Sequence, residues 1–392
     1  MVAHRLYFGV FGSGLGHVTR MVQIAGMLPK GEYQITYSTS GQAASYLTSR
    51  GLEDSLVMSP HLDVEWNEGG GFSSHRVLPQ FPFTFRTFLR QFAFEREAVK
   101  KLDPGLVVSD SRLSPVFAAK SMGYPVVTML NQFKILFPRR FRGRVGRMYE
   151  RIAGDSLGLM WSRSDEVLMT DLPPPYTIAE ASIAGLAMSN AVRYVGFTAP
   201  VVELKEGDVG RVKSSLGLGR KPLIFCPVSG PEPTKDRFVR TLIAAAREIT
   251  KDYDVVISTG NPKGSAEPRR FCDGGWLFEW CPVKDELLEL STVVMARAGL
   301  STIAQCIGRS KPAVLVPIHN HPEQVANAEK FSRLGLGIDI RSEDLSPEAV
   351  AKAARECTGD PRYGQRVAAV SQISKRFNGM ENCVSTIRSY AK

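Results

Sequence analysis

Short apolar runs alternate with helix-patterned stretches along the whole chain, and that alternation constrains the fold more than any other feature. The runs RLYFGVF, YQITYST, GLVVSD and PVVTML are interleaved with the helical patterns Val18–Leu28, Gln42–Arg50 and Leu113–Met122. The second half repeats the scheme with PLIFCPVS, YDVVIST, GWLFEW, TVVMARAG and PAVLVP. Strands joined through helices run parallel, and a parallel sheet covered on both faces has β-branched runs in place of polar–apolar alternation. The 392 residues exceed one ordinary core, and about 150–200 residues per domain gives two. Between Gly196 and Pro222 the periodicity lapses while Gly, Lys and Pro accumulate, which marks a boundary. The expected architecture is α/β, with two Rossmann-like domains and a deep interdomain cleft as the natural ligand site. An N-terminal domain would span 1–200 and a C-terminal domain 215–375, with 376–392 forming a helix that packs back toward the first.

A hydrophobic fraction of 43% and a charged fraction of 22% are those of a globular protein. No apolar run reaches the roughly 20 residues of a membrane-spanning helix, and MVAHRLYFGVFGSG enters a strand without the layout of a signal peptide. A cytoplasmic location is expected. The six cysteines, at 226, 272, 281, 306, 357 and 383, include no Cys-x-x-Cys pair and read as buried thiols, not as a zinc site or disulfide framework. The net charge of +10 is concentrated. Between Asn131 and Arg163, eight basic residues, among them Arg139, Arg140, Arg142 and Arg144, face only Glu150 and Asp155. Together with the aromatic stretch FPFTFRTFLRQFAFEREAVKK, this segment suits peripheral attachment to an anionic membrane surface on its inner face. A core helix and a solvated basic face explain the same letters. No nucleic-acid motif accompanies the charge, so nucleic acid is not an expected partner.

Directly after the first apolar run, GSGLGH places Gly12, Gly14, Gly16 and His17 at a strand-to-helix turn. Glycines let the backbone approach a ligand, and a helix start offers unpaired amides to an anion. The spacing departs from the dinucleotide fingerprint, and the second strand ends in Ser38, Thr39 and Ser40, not in a ribose-binding acid. A nicotinamide enzyme is thereby disfavoured. An imidazole at this turn titrates near neutrality and suits general base work; hydrogen-bonding to the turn itself is the other reading. Asp110 ends another strand, so parallel geometry would bring its carboxylate to the same sheet edge, where it would orient the imidazole or cap the following helix.

The densest constellation runs from Phe278 to Ala328. After TVVMAR, ending in Arg297, Gly299 permits a turn, and Ser301 or Thr302 opens a helix whose free amides and hydroxyls would hold a diphosphate. After AVLVP comes IHNHPEQVANA, where Pro322 suits a first helical position and Glu323, Gln324 and Asn327 gather at the helix entrance. Acid and amide side chains there would meet a sugar's hydroxyls, or Glu323 would complement the helix dipole. Trp280 offers an aromatic surface for a base or a core side chain. His319 and His321 lack an acidic cluster for metal binding, so a polar pocket role is expected of them.

The stretches RAGLSTIAQ and HPEQVANA resemble the donor signature of the two-domain GT-B glycosyltransferases, above all the family of bacterial peptidoglycan N-acetylglucosaminyltransferase and related UDP-sugar-dependent transferases. GSGLGH is similar to that family's N-terminal glycine loop, and GLVVSDSRLSPVFAAKSMGYPVV to acceptor-domain segments that pair an aspartate with a histidine base. By position, the resemblance implies Ser229 and Gly230 at the phosphates and backbone contacts from Trp280 and Cys281 to the base. Gly299, Ser301 and Thr302 would hold the diphosphate, and Glu323, Gln324 and Asn327 the sugar. Gln305 stands where many relatives have a ribose-binding glutamate. The implied activity is inverting, metal-independent hexosyl transfer from a nucleoside-diphosphate sugar to a hydroxyl acceptor such as a membrane lipid or lipid-linked glycan. No cofactor is implied, the nucleotide sugar being a co-substrate. A sugar-nucleotide epimerase of the same fold and a non-catalytic nucleotide-sugar binder are the rival readings.

Overall fold

The computed structural model describes residues 4–13, 15–61, 81–134, 136–137, 143–187, 191–199, 201–261 and 263–391. The chain divides into two compact units. One comprises the described residues up to Thr198 together with those from Phe377 onward; the other is Ala199–Arg376.

The first unit begins β1 (His4–Val10), α1 (Leu15–Met27), β2 (Tyr33–Thr39), α2 (Gly41–Ser49) and β3 (Leu56–Met58). It continues with α3 (Phe81–Leu102), β4 (Leu106–Asp110), α4 (Leu113–Lys120), β5 (Val126–Leu130), α5 (Arg144–Trp161), β6 (Glu166–Met169) and β7 (Arg193–Tyr194). The strands form one parallel sheet in the order β3-β2-β1-β4-β5-β6-β7. β4 and β5 are buried at every position, as strands covered on both faces must be. Successive residues of β1 serve opposite faces. Leu6, Phe8 and Val10 pack with Val18, Met21 and Ile24 of α1, whereas Tyr7 packs with Val99 of α3, Val116 of α4 and Trp161 of α5. The strand order reverses between β1 and β4, the point at which a doubly wound sheet opens a crevice beyond its strand ends.

The second unit contains α6 (Asp208–Ser215), β8 (Leu223–Pro227), α7 (Asp236–Ile249), β9 (Asp254–Ser258), β10 (Arg269–Cys272), β11 (Gly275–Phe278) and α8 (Lys284–Leu290). After them come β12 (Val293–Ala296), α9 (Leu300–Gly308), β13 (Ala313–Leu315), α10 (Pro322–Arg333), β14 (Gly337–Asp339), α11 (Pro347–Gly359) and α12 (Pro361–Lys375). Its sheet runs β10-β11-β9-β8-β12-β13-β14, with the reversal between β8 and β12. Phe238, Leu242 and Ala245 of α7 and Val350, Ala351 and Ala354 of α11 share a core with Ile224 and Cys226 of β8. One strand departs from the parallel scheme: β10 pairs antiparallel with β11 at the sheet edge. The cause is a two-residue hairpin at Asp273-Gly274, where Gly274 takes φ 72°.

The last helix, α13 (Gly379–Tyr390), returns to the first unit. Cys383, Val384 and Ile387 join the core beside Met21 and Ile24. The Asn382 amide donates to the Val195 carbonyl at 2.9 Å, and Gly379 lies so close that a Cβ there would meet the Phe197 carbonyl oxygen at 2.3 Å. Close packing also governs the central strand. A Cβ on Gly9 would stand 2.4 Å from Pro115 Cγ of α4, so Gly9→Ala should cost about 1–3 kcal/mol by overpacking. A lowered thermal midpoint is the expected result, and an unchanged one would refute the tight β1–α4 packing.

Candidate functional site

At the first unit's reversal, Phe11, Gly12 and Ser13 carry the chain from β1 toward α1. Gly12 is pressed against the end of β2: a Cβ would lie 2.7 Å from Ser40 Oγ and 2.8 Å from the Ser40 carbonyl oxygen. This close turn starts α1 at Leu15, which puts His17 in its first turn. Asp110 ends β4, in register with Val10 of β1. His17 Nδ1 and Asp110 Oδ1 are 2.8 Å apart, with His17 partly exposed and Asp110 fully buried. Asp110 does not cap α4, whose N-cap residue is Arg112.

The third member of the cluster is Arg20, one turn beyond His17 and 4% exposed. Its Nε donates to Asp110 Oδ2 at 2.6 Å and its Nη2 to Asp110 Oδ1, a bidentate grip. Nη1 donates to Asn131 Oδ1, just after β5, and to Thr170 Oγ1, just after β6, the latter at 3.2 Å. Burial alone would raise the Asp110 pKa, but the Arg20 charge, His17 and their hydrogen bonds outweigh it and hold the carboxyl well below its usual range. An ionised Asp110 only accepts, so His17 Nδ1 must carry the proton of their bond. Arg20 Nη2, 3.1 Å from the same nitrogen, is then a neighbouring charge and not a donor to it. The tautomer inferred from these partners leaves the lone pair on Nε2, free to take a proton.

At the second unit's reversal, β8 leads into Ser229 and Gly230, both exposed, and β12 into Arg297, Ala298 and Gly299. Gly230 has φ 116°, which disfavours any side chain. Gly299 differs: its φ of −72° suits any residue, and a Cβ there would meet nothing within 4 Å. The passage from β12 to α9 thus needs no left-handed residue, and the missing side chain leaves open the space before α9. Ser301 is exposed and Thr302 half-buried in the first turn of that helix.

Several side chains that the sequence places at the donor site also bond within the protein. Arg297 is 5% exposed; Nη1 donates to the Val316 and Pro317 carbonyls at 3.2 and 3.3 Å, and Nη2 to the Thr234 carbonyl at 2.5 Å. Asn327 is 1% exposed and donates to the Ala298 carbonyl at 3.2 Å. Gln324 Oε1 accepts from Ile318 N at 3.0 Å. His321 caps α10, its Nδ1 accepting from Gln324 N at 3.4 Å, and burial lowers its pKa although Glu323 pulls the other way. His319 faces Glu343 at 3.6 Å. Trp280 is 42% exposed and outside the core, and its backbone N–H donates to the Ser265 carbonyl at 3.0 Å. The Cys281 thiol is buried and pushed up to about 12. Glu323 remains half-buried at the entrance of α10. Gln305 Oε1 accepts from Lys284 Nζ at 2.7 Å, which sets a cation beside it. Gly16 lies exposed in α1; Gly14, Arg139, Arg140 and Arg142 lie outside the described residues, and Arg144 opens α5.

Arg20 and Lys284 escaped the sequence reading. Arg20 carried a usable signal, since it sits three residues after His17 and on the stripe of Val18, Met21 and Ile24 that α1 buries. Lys284 carried none, being 21 residues from its partner.

Residues 234–382 match the glycosyltransferase family 28 C-terminal domain. The chain is 24% identical to an uncharacterized glycosyltransferase of Methanopyrus kandleri over 82% of its own length and 87% of that protein's. It is 25% identical to the UDP-N-acetylglucosamine–N-acetylmuramyl-(pentapeptide) pyrophosphoryl-undecaprenol N-acetylglucosamine transferase of Clostridium perfringens, over 48% of this chain and 53% of that one. Among solved structures, the glycotransferase of kitacinnamycin aligns over 100% of both chains with a TM-score of 0.70 at 15% identity. A spinosyn rhamnosyltransferase complexed with thymidine diphosphate aligns over 99% of this chain and 100% of its own, with a TM-score of 0.68 at 13% identity.

Asp110→Asn would leave the Arg20 guanidinium buried beside a neutral amide, at a cost of about 3–5 kcal/mol near neutral pH. The folded pKa of Asp110 lies below the unfolded value of about 3.9. Its contribution is therefore complete above that value and is lost as pH falls toward the folded pKa. Urea midpoints should show a steady gap between wild type and variant down to about pH 5 that narrows below about pH 4. An equal gap at pH 3 and pH 7, each roughly buffered, would contradict the ion-pair account.

Proposed function

We propose that the chain, a glycosyltransferase of the GT-B type, moves a sugar, with inversion, from a nucleoside-diphosphate sugar to a hydroxyl acceptor, with His17 as general base. The observation that carries this reading is the 2.8 Å contact from His17 Nδ1 to a carboxylate that Arg20 keeps ionised. In the neutral ring that contact holds the proton on Nδ1 and turns Nε2, as the acceptor nitrogen, toward the incoming hydroxyl. The acceptor oxygen attacks the anomeric carbon as its proton passes to Nε2; the bond from that carbon to the diphosphate oxygen breaks, and the nucleoside diphosphate departs with the electron pair. A displacement from the face opposite the leaving group inverts the anomeric centre.

The charge of the departing group would be met by the free amides of the first turn of α9 and by the Ser301 and Thr302 hydroxyls. The reaction therefore calls for no divalent metal. Glu323, at the entrance of α10, is the acid left to meet the sugar's hydroxyls. For the nucleotide, the resemblance favours uridine, and thymidine diphosphate is bound by the spinosyn rhamnosyltransferase to which the fold is similar. The acceptor would be a membrane lipid or lipid-linked glycan, in keeping with the Clostridium perfringens relative, whose name specifies a pyrophosphoryl-undecaprenol acceptor.

His17→Ala should lower kcat/KM by about 10²–10⁴-fold with the melting temperature unchanged, and transfer should survive chelation of divalent ions by EDTA. Near-wild-type transfer by the variant would remove the base assignment. A melting temperature raised by uridine or thymidine diphosphate is expected from mass action. Epimerisation of the donor without release of nucleoside diphosphate would overturn the transferase mechanism itself.

A further inference from the structure

We propose that Arg20 is a positioning residue whose charge keeps the His17–Asp110 pair one proton short, so that the ring stays a base instead of becoming the counterion of a buried carboxylate. A carboxylate with no exposure requires a cation, and two groups within reach of Asp110 could be that cation. The imidazole becomes one by taking a proton; the guanidinium is one at every working pH. Arg20 Nε donates to Asp110 Oδ2 at 2.6 Å and Nη2 to Oδ1, so both carboxylate oxygens already meet a positive charge. Nη2 also stands 3.1 Å from His17 Nδ1, where it disfavours a second positive charge on the ring. Asp110 favours such a charge from 2.8 Å. Attraction and repulsion therefore oppose each other at a single nitrogen.

The fork is held away from any ligand. Arg20 is 4% exposed, and its third nitrogen, Nη1, donates to Asn131 Oδ1 and Thr170 Oγ1. Neutral groups complete the surroundings of the ring and its two charged partners. Asn131 and Thr170 follow β5 and β6, and the Phe11 ring after β1 meets the imidazole edge-on at 5.4 Å. Cys383 of α13 is a buried thiol, pushed up to about 12. Asp171, beside Thr170, turns its oxygens to the Leu172 and Ala179 amides at 2.7 and 2.8 Å. Without Arg20 the pair would take up one proton. On the ring, that proton makes an imidazolium. On the carboxyl, it makes a donor to Nδ1 and moves the ring's own proton to Nε2. Either state removes the lone pair that the proposed transfer uses.

The inference rests on His17 as the proposed base, but its first test needs neither donor nor acceptor. Nitrogen-15 NMR of the full chain, with the His17 signal assigned by its loss in His17→Ala, reads the ring's titration midpoint and tautomer. The neutral wild-type ring should carry its proton on Nδ1. Arg20→Met should raise the midpoint by about one pH unit or more. The acid limb of kcat/KM should move up with it, and activity should recover at high pH; a purely structural loss would lower the rate equally at every pH. Arg20→Met leaves Asp110 unpaired and can unfold the chain, so a second comparison avoids that variant. The midpoint in Asp110→Asn should lie below that in Asp110→Asn combined with Arg20→Met, because the first retains an unopposed guanidinium. Equal midpoints in either comparison would overturn the proposal, as would a neutral wild-type ring protonated on Nε2. Midpoints that move as expected while His17→Ala still transfers sugar would support the charge role and remove the base assignment instead.

Discussion

A carboxylate with no solvent exposure stays ionised only if the protein supplies what water no longer does, and the arrangement around Asp110 follows from that requirement. Arg20 closes on both of its oxygens. The remaining hydrogen-bonding direction falls on His17, which fixes both the ring and its tautomer. Arg20 is fixed in turn by Asn131 and Thr170, so one guanidinium ties together the ends of β4, β5 and β6. The imidazole inherits its orientation from three strands, although it is carried by a helix after a glycine turn.

The second unit treats its buried arginine differently. Arg297 forms no ion pair among the described residues; backbone carbonyls surround it and its guanidinium lies 4.4 Å from the centre of the Phe238 ring. Burial and the charge of Arg237 bring its pKa down to about 10, which leaves it protonated at neutral pH. The two strand reversals therefore carry different electrostatic characters. In the first unit cation and anion are matched beside the histidine, whereas in the second a cation stands in excess beneath the loops after β8 and β12. A site with an unmatched buried cation favours an anionic ligand over a neutral one.

The sequence made the two sheets legible because helix-linked strands have one parallel solution and β-branched runs such as LVVSD and DVVIS declare burial on both faces. It also made the meeting of His17 and Asp110 legible, since parallel strands end at one edge. Roles that depend on direction were harder to read. A polar letter at a helix entrance does not reveal whether its partner is a ligand or a carbonyl, and Gln324 and Asn327 both turned out to brace the α10 and α9 loops. Arg20 went unremarked because Asp110, Asn131 and Thr170 lie 90 to 150 positions away. The β10 hairpin was signalled by Asp273-Gly274, a turn pair that the prevailing parallel pattern overshadowed.

The return of α13 gives the chain a nested topology. Among the described residues the second unit is the run Ala199–Arg376, whereas the first is closed by a helix made after that run. During synthesis from the N-terminus, the sheet that carries His17 must wait, with Met21, Ile24 and Val195 uncovered, until Cys383, Val384 and Ile387 emerge. The unit that forms the proposed base would thus be the last to mature, and a ribosome that stalled after α12 would release a finished second unit joined to an open first one. The base-bearing half would be the natural target for chaperones and proteases, and an incomplete chain could be removed before it presented that half of the chemistry.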